Sequence, residues 1–114
     1  MGITLAINRM KTIGEVIREL RTAKHLLIRE VAAELQIDSS LLSRIERGDK
    51  RPTRDQVIQL AGILKADENE LMISYLSDRV VYELRGEKLA MEAMEAAEKK
   101  IAYATRMRRR KNAG

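Results

Sequence analysis

Between residues 28 and 47, two short runs of apolar residues at helical spacing are separated by too few residues for a flexible link. Val31, Ala32 and Leu35 make the inner stripe of the first, Gln36-Ile37 breaks the pattern, and Leu42 and Ile45 point inward from the second. Two helices joined this tightly must cross and bury their facing sides against each other. Ala32 is small where the helices approach, and the second helix keeps Ser39, Ser40, Ser43 and Arg44 on its outer side. Asp38, with Ser39 and Ser40 beside it, stands where a side-chain oxygen would cap this helix. Gly48 follows Arg47 as a C-terminal stop.

The rest of the chain reads as helices as well. Thr12-Ile-Gly-Glu15 has capping-box spacing and opens a helix from about Thr12 to Lys24, with Ile13, Val16, Ile17 and Leu20 on one face. After the polar loop Asp49 to Pro52, Thr53-Arg-Asp-Gln56 is a second capping box, and Val57, Leu60, Ala61 and Leu64 carry a fourth helix. A fifth starts near Asp67 and runs without a clear break through Leu84, and Gly86 marks a bend or stop. From Glu87 to about Met107 a long helical pattern keeps Ala90, Met91, Met94, Ala97, Ile101 and Ala104 close to one face. The expected fold is all-α: a lead-in over residues 1–10, a five-helix domain over 11–75, a helical extension over 76–107 and a basic tail over 108–114.

Composition removes several function classes. With no Phe or Trp, the core must be built from Leu, Ile, Val, Ala and Met. The absence of cysteine excludes disulfides and thiolate metal sites, and His25 alone cannot hold zinc, so neither a metal nor a cofactor is expected. There is no nucleophile–base pair with an orienting group and no phosphate-binding glycine loop, so an enzyme is not expected. No apolar run is long enough to span a membrane, and the first ten residues are too weakly apolar for a signal peptide, which fits a cytoplasmic protein. His25 reads as an exposed helix-end residue, with a phosphate contact as the alternative. Met91 and Met94 read as a packing stripe rather than soft metal ligands.

The net charge of +5 is unevenly placed. Arg106, Arg108, Arg109, Arg110 and Lys111 account for all of it, and a second excess (Arg44, Arg47, Lys50, Arg51 and Arg54 against Glu46 and Asp49) surrounds the end of the third helix. Such patches suit a polyanion through phosphate neutralisation, although a solvated surface gives the same composition.

Leu42-Ser-Arg-Ile-Glu-Arg-Gly48, followed by Pro52, resembles the helix-turn-helix domain of the phage repressor and Cro group, the xenobiotic-response-element family. The resemblance covers about residues 12–73 and implies a lambda-repressor-like domain that binds double-stranded DNA and regulates transcription. By position, it implies that Ser39, Ser40 and Arg44 face base edges, with Ser43 a further candidate, and that Lys50 and Arg51 lie along the sugar–phosphate backbone. It also implies an ion pair between Arg21 and Glu46. The sequence departs from the family at two places. Leu27 and Ile28 stand where relatives carry a polar cap and a phosphate-gripping Gln, which moves that grip to the backbone amide, His25, Arg29 or elsewhere. Gln36 stands where relatives favour glycine in the turn.

The extension needs a partner for its apolar face, because a lone amphipathic helix is marginal in water. A homodimer formed through Leu76, Val80, Val81, Leu84, Met91, Met94 and Ile101 would suit a repressor or operon controller reading a palindromic operator. The spacing over this whole set drifts from strict heptads, so no long coiled coil is expected. The alternative is an interaction module, such as an antitoxin or a restriction–modification-associated protein, that holds a protein partner with these helices. No small-molecule effector domain is evident.

Overall fold

The computed structural model describes residues 7–113. They form six helices and, among the described residues, no strand: α1 (Ile13–Ala23), α2 (Ile28–Leu35), α3 (Ser39–Arg47), α4 (Arg54–Ile63), α5 (Glu68–Leu84) and α6 (Ala90–Ala113). The chain divides into two compact units, one ending at Val80 and the other beginning at Val81.

In the first unit, α3 packs against α1 and α2, and α2 packs against α4. The core is aliphatic, as the lack of Phe and Trp requires. Ile17, Val31, Leu42, Ile45, Val57, Leu60, Leu64 and Leu71 are its largest fully buried side chains. Each contributes on the order of 1.5–3 kcal/mol through the apolar surface it removes from water.

The N-terminal caps follow from the sequence, with one exception. Thr12 accepts from the Glu15 amide at 3.2 Å while the Glu15 carboxylate accepts from the Thr12 amide at 3.2 Å. Thr53 and Gln56 repeat the exchange at 3.1 and 2.9 Å. Asp67 accepts from the Glu70 amide at 3.0 Å. Asp38 is the exception: its side chain makes no capping bond, and its main-chain carbonyl takes the Leu41 and Leu42 amides at 3.0 and 3.2 Å.

Five helices finish on a residue in the left-handed region, and only two of these are glycine: His25 after α1, Gln36 after α2, Gly48 after α3, Lys65 after α4 and Gly86 after α5. In each, the next amide returns to a carbonyl of the last turn, such as Leu26 to Arg21 at 3.1 Å and Ile37 to Ala32 at 3.0 Å. His25 is therefore an exposed residue at a helix end, with a backbone role that its type did not announce.

Two boundaries differ from expectation. Residues 1–6 of the expected lead-in lie outside the described residues. Ile7 packs against the core and Arg9 pairs with Glu70 at 2.7 Å, so the folded domain takes in part of that segment. At the other end, α6 starts three residues later than Glu87 and runs to Ala113, past Met107. Arg and Lys are good helix formers and suit a helix C-terminus, so the basic run extends the helix. No helix among the described residues is long and apolar enough to cross a membrane.

Candidate nucleic-acid interface

α3 is nine residues long and divides cleanly by face. Leu42, Ile45 and Glu46 are buried. Ser39, Ser40, Arg44 and Arg47 are exposed on the other side, and Ser43 is half-buried between them. Residues three and four apart share a helix face, so Ser39, Ser40, Ser43, Arg44 and Arg47 form one continuous outer surface. Lys50 and Arg51 follow in the exposed loop after Gly48.

Two devices hold this helix from behind. The first is Gly14. A Cβ there would lie 2.3 Å from the Ile45 carbonyl oxygen and 2.8 Å from that of Glu46. The backbone of α1 thus approaches the last turns of α3 more closely than any other residue allows. The sequence reading passed over Gly14 as filler in a capping box. Its signal was a glycine within a helical stripe, where it costs about 1 kcal/mol relative to alanine unless packing requires it.

The second is the pair Arg21–Glu46. The Arg21 Nε donates to Glu46 Oε2 at 2.8 Å and its Nη2 to Oε1 at 3.0 Å, a two-pronged contact between buried side chains. The remaining Nη1 donates to the Leu26 carbonyl at 2.8 Å. One guanidinium therefore joins α1, the α1–α2 turn and α3. Its bond to the Glu46 carboxylate raises the Arg21 pKa further above its ordinary value.

The turn between α2 and α3 is closed by Gln36 at φ 59° and ψ 44°. A side chain in this region costs on the order of 1 kcal/mol, which the rest of the domain absorbs. The amide at the start of α2 is already engaged, since the Leu27 N–H donates to Glu30 Oε1 at 2.9 Å. A phosphate brought to that amide would meet a carboxylate. Of the groups considered for a phosphate grip, His25 and Arg29 remain, both exposed.

The electrostatics favour an anion at this face. Of the two acids in the basic stretch, Glu46 is buried against Arg21, and Asp49 is paired with Arg47 at 3.3 Å. Arg44, Lys50, Arg51 and Arg54 are exposed around them. Arg47 and Arg54, which the sequence places in the basic stretch without a specific contact, belong to this surface. The signal for Arg47 was its place one turn beyond Ser43 and Arg44. Among the described residues no group of three or more His, Cys, Asp or Glu side chains could hold a metal.

The residues expected at a dimer contact lie on α5 and α6. Leu76, Val80, Val81, Met91, Met94 and Ile101 are exposed and Leu84 is half-buried.

The geometry agrees with what comparison finds. A solved structure, that of the clp gene regulator ClgR from Corynebacterium glutamicum, superposes with a TM-score of 0.52 over 85% of this chain and 89% of that one, at 21% identity. It shares the all-helical fold. No curated protein matches the sequence. A family model described as a helix-turn-helix domain matches residues 12–72, more than half of the chain. With the tight turn at Gln36, the two crossed helices and the exposed face of α3 in place, the chain belongs to the helix-turn-helix domain family, of the xenobiotic-response-element type, a family of DNA-binding proteins.

Proposed function

We propose that this protein is a sequence-specific transcriptional regulator, a repressor or operon controller, that reads a palindromic operator as a homodimer. The observation that carries the reading is the outer face of α3: short polar side chains and two arginines, on a helix fixed from behind by Gly14 and the Arg21–Glu46 pair. A helix read through hydrogen bonds must be held in place by its supporting contacts, and these hold α3 from behind.

In this reading Arg44 makes the two-pronged contact to guanine O6 and N7, worth about 1–3 kcal/mol of discrimination against another base. Ser39, Ser40 and Ser43 approach neighbouring base edges or the water on them. Lys50 and Arg51 lie along the phosphates, with Arg29 on the strand beside α2, and they set register without reading sequence. The similarity in fold to ClgR, a gene regulator, supports the same direction. Leu76, Val80, Val81, Leu84, Met91, Met94 and Ile101 form the contact between subunits. In this reading, occupancy of the operator follows protein concentration.

The test is selection from a randomised duplex library with the wild-type chain and with Arg44→Ala. The expected result is a two-fold symmetric motif that loses preference at one position per half-site in the variant. General, salt-sensitive affinity without a motif would overturn the reading and point to a protein partner or an architectural role.

A further inference from the structure

α6 is the longest helix of the molecule, 24 residues, and none of them is buried. Its side chains are not randomly placed. Ala90, Met94, Ala97, Ile101 and Ala104 step by four, three, four and three residues, a heptad seam that lies on one face of the helix. The drift seen in the sequence arises when the α5 residues and Met91 are counted with it. Within α6 alone the period is regular over these five residues. The seam alternates small with large: alanine recurs at every seventh residue, and Met94 and Ile101 recur seven apart.

Charge is also segregated along the axis. Residues 90–98 contain Glu92, Glu95 and Glu98 and no basic residue, whereas residues 99–113 contain seven basic residues and no acid. The helix dipole accounts for preferences in the first and last turns only, so it does not explain Glu98 followed at once by Lys99 and Lys100.

We propose that α6 pairs side by side and antiparallel with α6 of a second copy of this chain. The orientation follows from both observations independently. In a parallel pair every seam residue meets its own counterpart: alanine faces alanine and leaves a gap, methionine faces methionine, and the seven basic residues lie beside the same seven. In an antiparallel pair Met94 layers on Ala104 and Ala97 on Ile101, so each layer joins one large and one small side chain and fills evenly. At this register residues 90–98 of one helix lie beside residues 100–108 of the other, so Glu92 is level with Arg106 and Glu98 with Lys100. The contact is the same patch on both copies, so it closes at two. This inference rests on the two-subunit reading above and deepens it by naming the helix and its direction.

The chain has no cysteine, so single introduced thiols report without background. Full-length Met94→Cys and Ala104→Cys chains are oxidised separately and after mixing, beside sedimentation equilibrium of the unaltered protein. In the antiparallel pair, residue 94 of each copy lies about 15 Å along the axis from its counterpart, at 1.5 Å per residue. That is beyond the roughly 7 Å Cα separation that a disulfide tolerates. The expected result is a disulfide-linked dimer in the mixture and in neither protein alone. Efficient linkage of each variant with itself would show a parallel pair and overturn the proposal. A sedimenting dimer that links in none of the three samples would place the contact elsewhere, overturning the α6 pairing and leaving the two-subunit reading standing. A monomer would overturn both.

Discussion

α3 and α6 are both basic helices, but they exist for opposite reasons. α3 has nine residues, fewer than the roughly 12–15 that an isolated helix needs in water, and three of them are buried. Packing makes it a helix. α6 has 24 residues, rich in Ala, Glu, Lys, Arg and Met, and buries none. Its composition makes it a helix, since these are the strongest helix formers. The difference separates two jobs that a single charge count merges. Charge on α3 is held at fixed positions by the domain, as reading a base requires. Charge on α6 rides on a helix shaped by local preference, which suffices for attraction along an extended surface.

If that contrast is correct, α3 should be most sensitive to the contacts behind it. The largest effect is expected from Glu46→Ala, which strands the Arg21 guanidinium with a single carbonyl partner. Breaking one side of a buried pair costs about 3–5 kcal/mol, a large share of the stability of a domain this size. Replacing both partners, as in Arg21→Met with Glu46→Leu, should recover most of the loss, because no buried charge is left without a partner. Urea unfolding of the two variants beside the wild type measures this. A Glu46→Ala chain within 1 kcal/mol of wild type would mean that α3 is held by its apolar side alone.

The next effect opposes local preference to packing directly. Gly14→Ala raises intrinsic helix propensity by about 1 kcal/mol. It also places a Cβ 2.3 Å from the Ile45 carbonyl, where backbone must move. Packing should win: we expect a net loss of about 1–3 kcal/mol, the usual cost of overpacking, and weaker operator binding because the turns of α3 that move carry Arg44. Ala96→Gly in α6 is the converse. It should cost local helicity in circular dichroism while the urea midpoint of the first unit stays where it was. Stabilisation by Gly14→Ala would overturn the account of how α3 is placed.

Much of this was readable in the sequence, and the unreadable parts share a cause. Thr12 with Glu15, Thr53 with Gln56, and Gly48 state their helix boundaries because a cap is a local arrangement of neighbouring residues. The Leu42 to Gly48 run made the fold recognisable because its apolar spacing and glycine stop encode the crossing of two helices. The Arg21–Glu46 contact was reached through family resemblance, since residues 25 apart carry no local sign of meeting. The close approach at Gly14 was missed for the same reason: it depends on α3 carbonyls more than thirty residues away. Asp38 was misjudged although it is local: its carboxylate makes no capping bond, and its main-chain carbonyl alone accepts the first amides of α3. The end of α6 was set too early because a basic run was read as a tail, when arginine and lysine favour continuing the helix.

The smallest expected effect tests where the held part of the molecule ends. The buried residues of α5 stop at Ser74, yet one turn later the Asp78 carboxylate accepts from the Ile13 amide at 2.8 Å, capping the first turn of α1 from another helix. Burial pushes the Asp78 carboxyl above its ordinary value near 3.8, with the Ile13 bond pulling down and the Glu15 carboxylate pushing up. A carboxyl raised on folding holds its proton more tightly in the folded chain than in the unfolded one. Its contribution to stability is therefore fullest below the ordinary aspartate value and is lost as the pH rises through the raised one. Asn at this position keeps an oxygen for the Ile13 amide and has no proton to lose. Melting temperatures of wild type and Asp78→Asn should diverge as the pH climbs from about 3.8 toward neutral, the wild type falling relative to the variant by less than either Glu46→Ala or Gly14→Ala changes stability. A gap that does not change with pH would mean that water, not the protein interior, surrounds the carboxyl. The tether between α5 and α1 would then be as exposed as α6, and the held region would end at Ser74.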